Sequence, residues 1–181
     1  MALAKATEFF KNVKDTIQNK TETEKMLDEA LSKSSDFPSS TLRQNIAKLT
    51  FDYMEYPIIM KAVWDGLNHA GKNYRQILKA LQLLETMVKH GAERVVDDAR
   101  DHLFRIRLLT DFQFHNEQGQ DMGVVVREKA KDLVSLLNDT ERIRDEREKA
   151  RKLASKMVGV GSDTVRTGGG RREFPRTSYN A

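Results

Sequence analysis

The four histidines, His69, His90, His102 and His115, have the ordinary pKa best placed for proton transfer near neutral pH, but they are scattered along the chain. No two of them sit at i, i+4, so the helical zinc-ligand pattern is missing. Asp97, Asp98, Asp101 and His102 crowd one stretch and are of metal-ligating types. Charged residues this dense on a helix read first as a solvated face. Gly159-x-Gly161 follows no strand-like segment and lacks the third glycine of a dinucleotide loop, and no Gly-Lys-Ser/Thr phosphate loop occurs. Cysteine is absent, which removes disulfides and cysteine-ligated metals and fits a reducing compartment. The expectation is a non-enzymatic chain with no metal and no cofactor.

The cations carry more information. Lys5, Lys11, Lys14 and Lys20 fall in the first twenty residues. Lys72 follows Gly71 at a predicted helix start, where free backbone N–H groups and the helix dipole favour anions, and Arg75 lies one turn on. A phosphate-bearing ligand fits that arrangement, and so does an ordinary solvated lysine. The net charge of +4 comes from 31 basic and 27 acidic residues, a mild excess that suits an anionic membrane surface. Acids dilute the bases on nearly every predicted helix, which argues against nucleic acid as the target.

The elements that must position these residues are helical: Ala, Leu, Lys, Arg and Glu are plentiful and only three prolines occur. Leu3, Ala6, Phe10, Val13 and Ile17, spaced 3, 4, 3, 4, fall inside a stripe about 80° wide on a helix, with Phe9 about 40° beyond one edge. Lys14 and Lys5 flank the stripe, placed to snorkel. Thr21-x-x-Glu24 reads as a capping box opening a short helix to about Leu31, followed by a loop over Ser32 to Pro38. A helix after Ser39-Ser40 points Leu42, Ile46, Leu49 and Tyr53 inward. Pro57 suits the first turn of the next, which buries Met60, Val63, Trp64 and Leu67 and ends near Gly66 and His69-Ala70-Gly71.

From Asn73 to Gly91 the apolar arc is widest (Tyr74, Ile77, Leu78, Leu81, Leu83 or Leu84, Val88), predicting the central helix. One helix is expected from Glu93 to about Leu108, using Val95, Val96, Ala99, Leu103 and Ile106. A loop follows over Asp111 to Gly123, then a helix from Val124 to Leu137 with Val126, Ala130, Leu133, Val134 and Leu137 inward. Asn138-Asp139 caps a last charged helix from Thr140 to about Met157, with Ile143, Ala150, Leu153 and Ala154 as its apolar residues. Residues 158–181 read as a disordered linker and the start of a tail. No apolar run is long enough to span a bilayer, and the N-terminus lacks the core of a secretory signal. The resulting division is 1–19 amphipathic helix, 20–157 helical domain and 158–181 linker.

Gly71 to Val95 (GKNYRQILKALQLLETMVKHGAERV), Gln118 to Val134 (QGQDMGVVVREKAKDLV) and the preceding PSSTLRQNIAKLTFDY resemble the epsin N-terminal homology (ENTH) domain, in order, from about residue 3 to 157. Glu93-Arg94-Val95-Val96, Ala99-Arg100-Asp101-His102 and Met157-Val158-Gly159-Val160 resemble the Golgi and endosomal epsin-related clathrin adaptor more than plasma-membrane epsin. The resemblance implies an all-α, right-handed superhelix of seven or eight helices, a VHS-like solenoid, with an N-terminal amphipathic helix. That helix orders on binding phosphoinositide and wedges its apolar face, here Leu3, Ala6, Phe9, Phe10, Val13 and Ile17, into the cytosolic leaflet. It further implies a cytoplasmic, peripheral membrane protein of vesicle trafficking at the trans-Golgi network, endosome and clathrin-coated vesicles. Clathrin and the adaptor complex would bind through a tail beyond this chain, and SNARE proteins through the domain. The alternative is a helical protein-interaction domain with little lipid dependence.

Carried over by position, Lys11, Lys14 and Lys72 match basic headgroup ligands of epsins, Lys33 stands at a polar one, and Arg75 lies beside them. Asp28, Gly66, Gln76 and Glu117 replace basic residues. The missing charge-assisted bonds predict weakened selectivity for phosphatidylinositol 4,5-bisphosphate and favour a singly phosphorylated inositide or generic anionic lipid.

Overall fold

The computed structural model describes residues 20–162, with side chains to residue 156. Eight α-helices follow in order: α1 (Glu22–Ala30), α2 (Ser40–Leu49), α3 (Glu55–Leu67), α4 (Tyr74–His90), α5 (Arg94–Asp101), α6 (Leu103–Leu108), α7 (Val124–Asn138) and α8 (Thr140–Ser162). Short 3-10 turns occupy Gly71–Asn73 and Leu109–Asp111.

The helix starts follow side-chain chemistry. The capping box forms as expected: Glu24 N–H donates to Thr21 Oγ1 at 3.2 Å and Thr21 N–H to Glu24 Oε2 at 2.8 Å. Ser39 Oγ accepts from Leu42 N–H, and Asp139 Oδ1 from Arg142 N–H. Asp52 Oδ1 accepts from the N–H groups of Met54 and Glu55 and opens α3.

Helix α4 is central, packing against α2, α3, α7 and α8. Ile77, Leu81, Leu83, Leu84, Met87 and Val88 are all fully buried, so both candidates at 83 and 84 belong to the core. The far end of α4 is closed by Arg147 of α8, which donates to the carbonyls of Val88 (2.6 Å) and Gly91. A Cβ at Gly91 would lie 2.6 Å from Met87 O and 2.7 Å from Thr50 Oγ1, so close approach requires glycine there.

Three expectations are corrected. Tyr53 is 81% exposed rather than inward: α2 ends at Leu49, and after the buried Thr50 residues 51–54 turn outward, leaving Phe51 and Met54 exposed as well. The helix expected over Glu93 to Leu108 is two helices, broken at His102, whose backbone N–H donates to Asp98 O at 3.0 Å and whose Nδ1 lies 2.9 Å from the same oxygen. The last helix continues to Ser162, and of its apolar residues Ile143 is buried whereas Leu153 and Ala154 are exposed. The end of α3 falls near Gly66, as expected: Gly66 is its penultimate residue and is buried, and the helix ends at Leu67 with Asn68 as its cap.

Candidate functional site

The N-terminal end of α4 is where the sequence-predicted cations meet a helix start. The 3-10 turn Gly71–Asn73 feeds directly into α4, and no side chain caps the first turn of either. Lys72 and Arg75 are exposed there. The turn is held from outside: Phe114, from the loop before α7, packs on Gly71, where a Cβ would sit 3.0 Å from its ring, and stacks on Tyr74 at 5.5 Å between centroids. Arg75 Nε donates to Tyr74 Oη at 3.2 Å.

Beneath that end lies a feature the hydrophobic pattern does not announce. Gln76 and Lys79, one turn apart on α4, are buried, Lys79 completely. Gln76 Nε2 donates to Leu31 O at 3.0 Å. Lys79 Nζ donates to Ser32 O at 2.8 Å and Ser34 O at 3.0 Å, with the hydroxyls of the same serines at 3.5 and 3.3 Å. Helix α4 thus fastens the end of α1 and the loop that follows it. Burial pushes the Lys79 ammonium below its usual value; Asp36 opposes the shift and Arg75 adds to it. The fastened loop carries Lys33, which is exposed.

Lys33, Lys72 and Arg75 are therefore brought to one end of the domain, on the loop after α1 and on the first turns of α4. Among the described residues none of the three pairs with a carboxylate, whereas Lys20, Lys61, Lys89 and Lys129 all do. The remaining predicted residues, Lys11 and Lys14 for the headgroup and Leu3, Ala6, Phe9, Phe10, Val13 and Ile17 for insertion, lie outside the described residues.

The substituted positions acquire structural reasons. Asp28 pairs with Lys20, Gln76 serves α1, and Gly66 is buried where α3 crosses α4, its Cβ position 3.0 Å from Ala80 Cβ. Glu117 is exposed in the loop closed by the His115–Asp121 bridge. The acids near His102 do not converge: Asp98 accepts from Tyr56 Oη at 3.1 Å and faces His102 Nδ1 at 2.9 Å, while Asp97 and Asp101 are exposed. No group of metal-ligating side chains forms among the described residues. No described helix is long and apolar enough to cross a membrane.

This geometry defines a helical solenoid with exposed cations near the N-terminal end of α4. The family model of the ENTH domain matches residues 20–143, and the chain belongs to that family. It is 42% identical to epsin-2 of Mus musculus over 88% of this chain and 28% of that protein. To clathrin interactor 1 of Homo sapiens it is 39% identical, over 89% of this chain and 26% of that one. The chain thus spans about a quarter of the length of these relatives. A solved structure of the ENTH domain from epsin-2 in complex with phosphatidylinositol 4,5-bisphosphate superimposes with a TM-score of 0.71 at 34% identity, covering 76% of this chain and 96% of that one.

Proposed function

We propose that this chain is a phosphoinositide-dependent, non-enzymatic membrane-binding module of a clathrin-associated trafficking adaptor. The observation that carries the reading is the group of exposed cations Lys33, Lys72 and Arg75, which have no carboxylate partner among the described residues and stand on the fastened loop after α1 and at the start of α4. Phosphate oxygens supply acceptors for those cations. The epsin-2 complex supports an inositide as the ligand. Lys11 and Lys14 add charge from the N-terminal segment, and its stripe (Leu3, Ala6, Phe9, Phe10, Val13, Ile17) enters the cytosolic leaflet. Association with trans-Golgi, endosomal or clathrin-coated membranes, and a tail that contacts clathrin and the adaptor complex, extend the same reading; the name of clathrin interactor 1 supports the clathrin link.

Co-sedimentation with phosphatidylcholine vesicles, with and without phosphatidylinositol 4-phosphate or 4,5-bisphosphate, tests it. The wild type pellets with inositide vesicles and gains helicity. Lys72→Gln with Arg75→Gln weakens binding about 30-fold, at ~1 kcal/mol per cation near an anionic surface. Phe10→Glu weakens it as well. A wild type that stays in the supernatant with every inositide overturns the proposal. The exposed turn of Phe51, Tyr53 and Met54 favours a second reading, a protein-recognition domain, which predicts no lipid dependence.

A further inference from the structure

Phe37 lies in the loop after α1, four residues from Lys33, and is 46% exposed. It is not a loose loop tip. Its ring sits 5.9 Å from the buried Lys79 ammonium, which holds that loop through the Ser32 and Ser34 carbonyls. Lys79 follows Arg75 by one turn of α4, and Lys72 lies in the 3-10 turn that feeds the start of the same helix. An apolar ring is therefore presented from a fixed loop, near cations that have no carboxylate partner among the described residues.

The other exposed aromatic cluster makes the contrast. Phe51 and Tyr53 stand before the first turn of α3, beside Asp52 and Glu55, whereas Leu67 at the far end of α3 leads into the Lys72 turn. Thirteen helical residues separate those ends by about 20 Å. Asp52 and Glu55 flank the one cluster, whose turn Arg94 also holds, whereas Phe37 has Lys33 and Lys79 near it and Asp36 beside it in the chain.

We infer that Phe37 is a second interfacial anchor, which enters the headgroup region of an anionic lipid surface together with Lys33, Lys72 and Arg75. Aromatic rings favour that depth, where the apolar face is covered while neighbouring cations stay with phosphate. The inference rests on the lipid-binding reading above and adds to it a membrane contact made by the folded body of the domain.

The test uses the full chain and phosphatidylcholine vesicles containing phosphatidylinositol 4-phosphate. Phe37→Ala lowers partitioning about five-fold, the share expected from the half of a phenylalanine left exposed. It leaves the affinity for soluble inositol trisphosphate unchanged. Phe37→Trp retains partitioning, and its emission shifts to the blue and is quenched by lipids brominated near the headgroup. If the wild type binds vesicles while the Phe37→Trp emission neither shifts nor quenches, the anchor is overturned and the lipid reading stands. Loss of soluble headgroup affinity in Phe37→Ala, parallel to the loss of partitioning, also overturns the anchor, because the ring would then only support the loop. A wild type that binds no vesicles overturns both.

Discussion

The Lys79 ammonium, without exposure to solvent, donates to the Ser32 carbonyl at 2.8 Å, joining the middle of α4 to a loop 47 positions earlier in the chain. A second bond reaches Ser34 O, so two loop carbonyls depend on one cation. Lys79→Met keeps the length of the side chain and removes the donor. Leaving those carbonyls without it costs about 2 kcal/mol, and the midpoint of urea unfolding falls while its slope stays constant. Amide hydrogen exchange over residues 32–38 accelerates by more than the global loss accounts for. Unchanged exchange in that loop contradicts the fastening role.

Glu85 joins three helices. It accepts from Lys89 on its own helix at 2.9 Å and from Lys129 of α7, and Lys89 also reaches Glu146 of α8 at 3.6 Å. Burial alone would raise the Glu85 carboxyl; hydrogen bonds from Lys129 and Lys89 outweigh it and hold the group below its ordinary value. A carboxyl depressed in the folded state contributes stability that is complete above the unfolded value, near 4.5, and is lost as pH falls through the lower folded value. Glu85→Gln therefore destabilises at pH 7, by about 2 kcal/mol for charge-assisted bonds in a half-buried place. The difference from wild type narrows in acid. Urea titrations at pH 7 and pH 3 measure it, and an equal difference at both rejects the linkage.

Most of the fold could be read because several helices announce themselves by caps and others by a periodic face: Thr21 and Glu24, Ser39 and Asp139 open helices where their chemistry demands, and the arc from Tyr74 to Val88 is the core. Tyr53 was misleading because its spacing from Ile46 and Leu49 continues the helical period past the point where the chain turns. The break at His102 was hidden for a related reason, since Leu103 and Ile106 remain in phase with Ala99. At the site, the exposed cations could be read from charge and helix polarity. Their support could not, because Gln76 and Lys79 look solvated by type and only tertiary contact reveals the carbonyls they serve.

The exposure of Tyr53 gives its own measurement. Tyr53→Ser removes a large aromatic ring that touches water over most of its surface. Stability then changes by less than about 0.5 kcal/mol, against ~3–5 kcal/mol for a buried aromatic. Thermal unfolding distinguishes these outcomes, and a loss of the larger size returns Tyr53 to the core.

Gly66 sets helix propensity against packing. In an exposed helix, replacing glycine by alanine gains ~1 kcal/mol. Here the new methyl carbon meets Ala80 Cβ at 3.0 Å, and that atom is fixed to the α4 backbone and cannot swing away. Helices α3 and α4 must separate by a few tenths of an ångström, beside the Lys79 fastening and close to the Lys72 turn. Overpacking of this kind costs ~1–3 kcal/mol, so packing wins and Gly66→Ala lowers stability by about 1 kcal/mol net. Gly66→Arg, which places a basic residue where the resemblance to epsins implies one, must pass the same Ala80 contact before its charge can reach solvent. Its unfolding midpoint falls at least as far as that of Gly66→Ala. A midpoint that rises in Gly66→Ala shows that the two helices have slack at their crossing, and it reopens this position to a basic headgroup ligand.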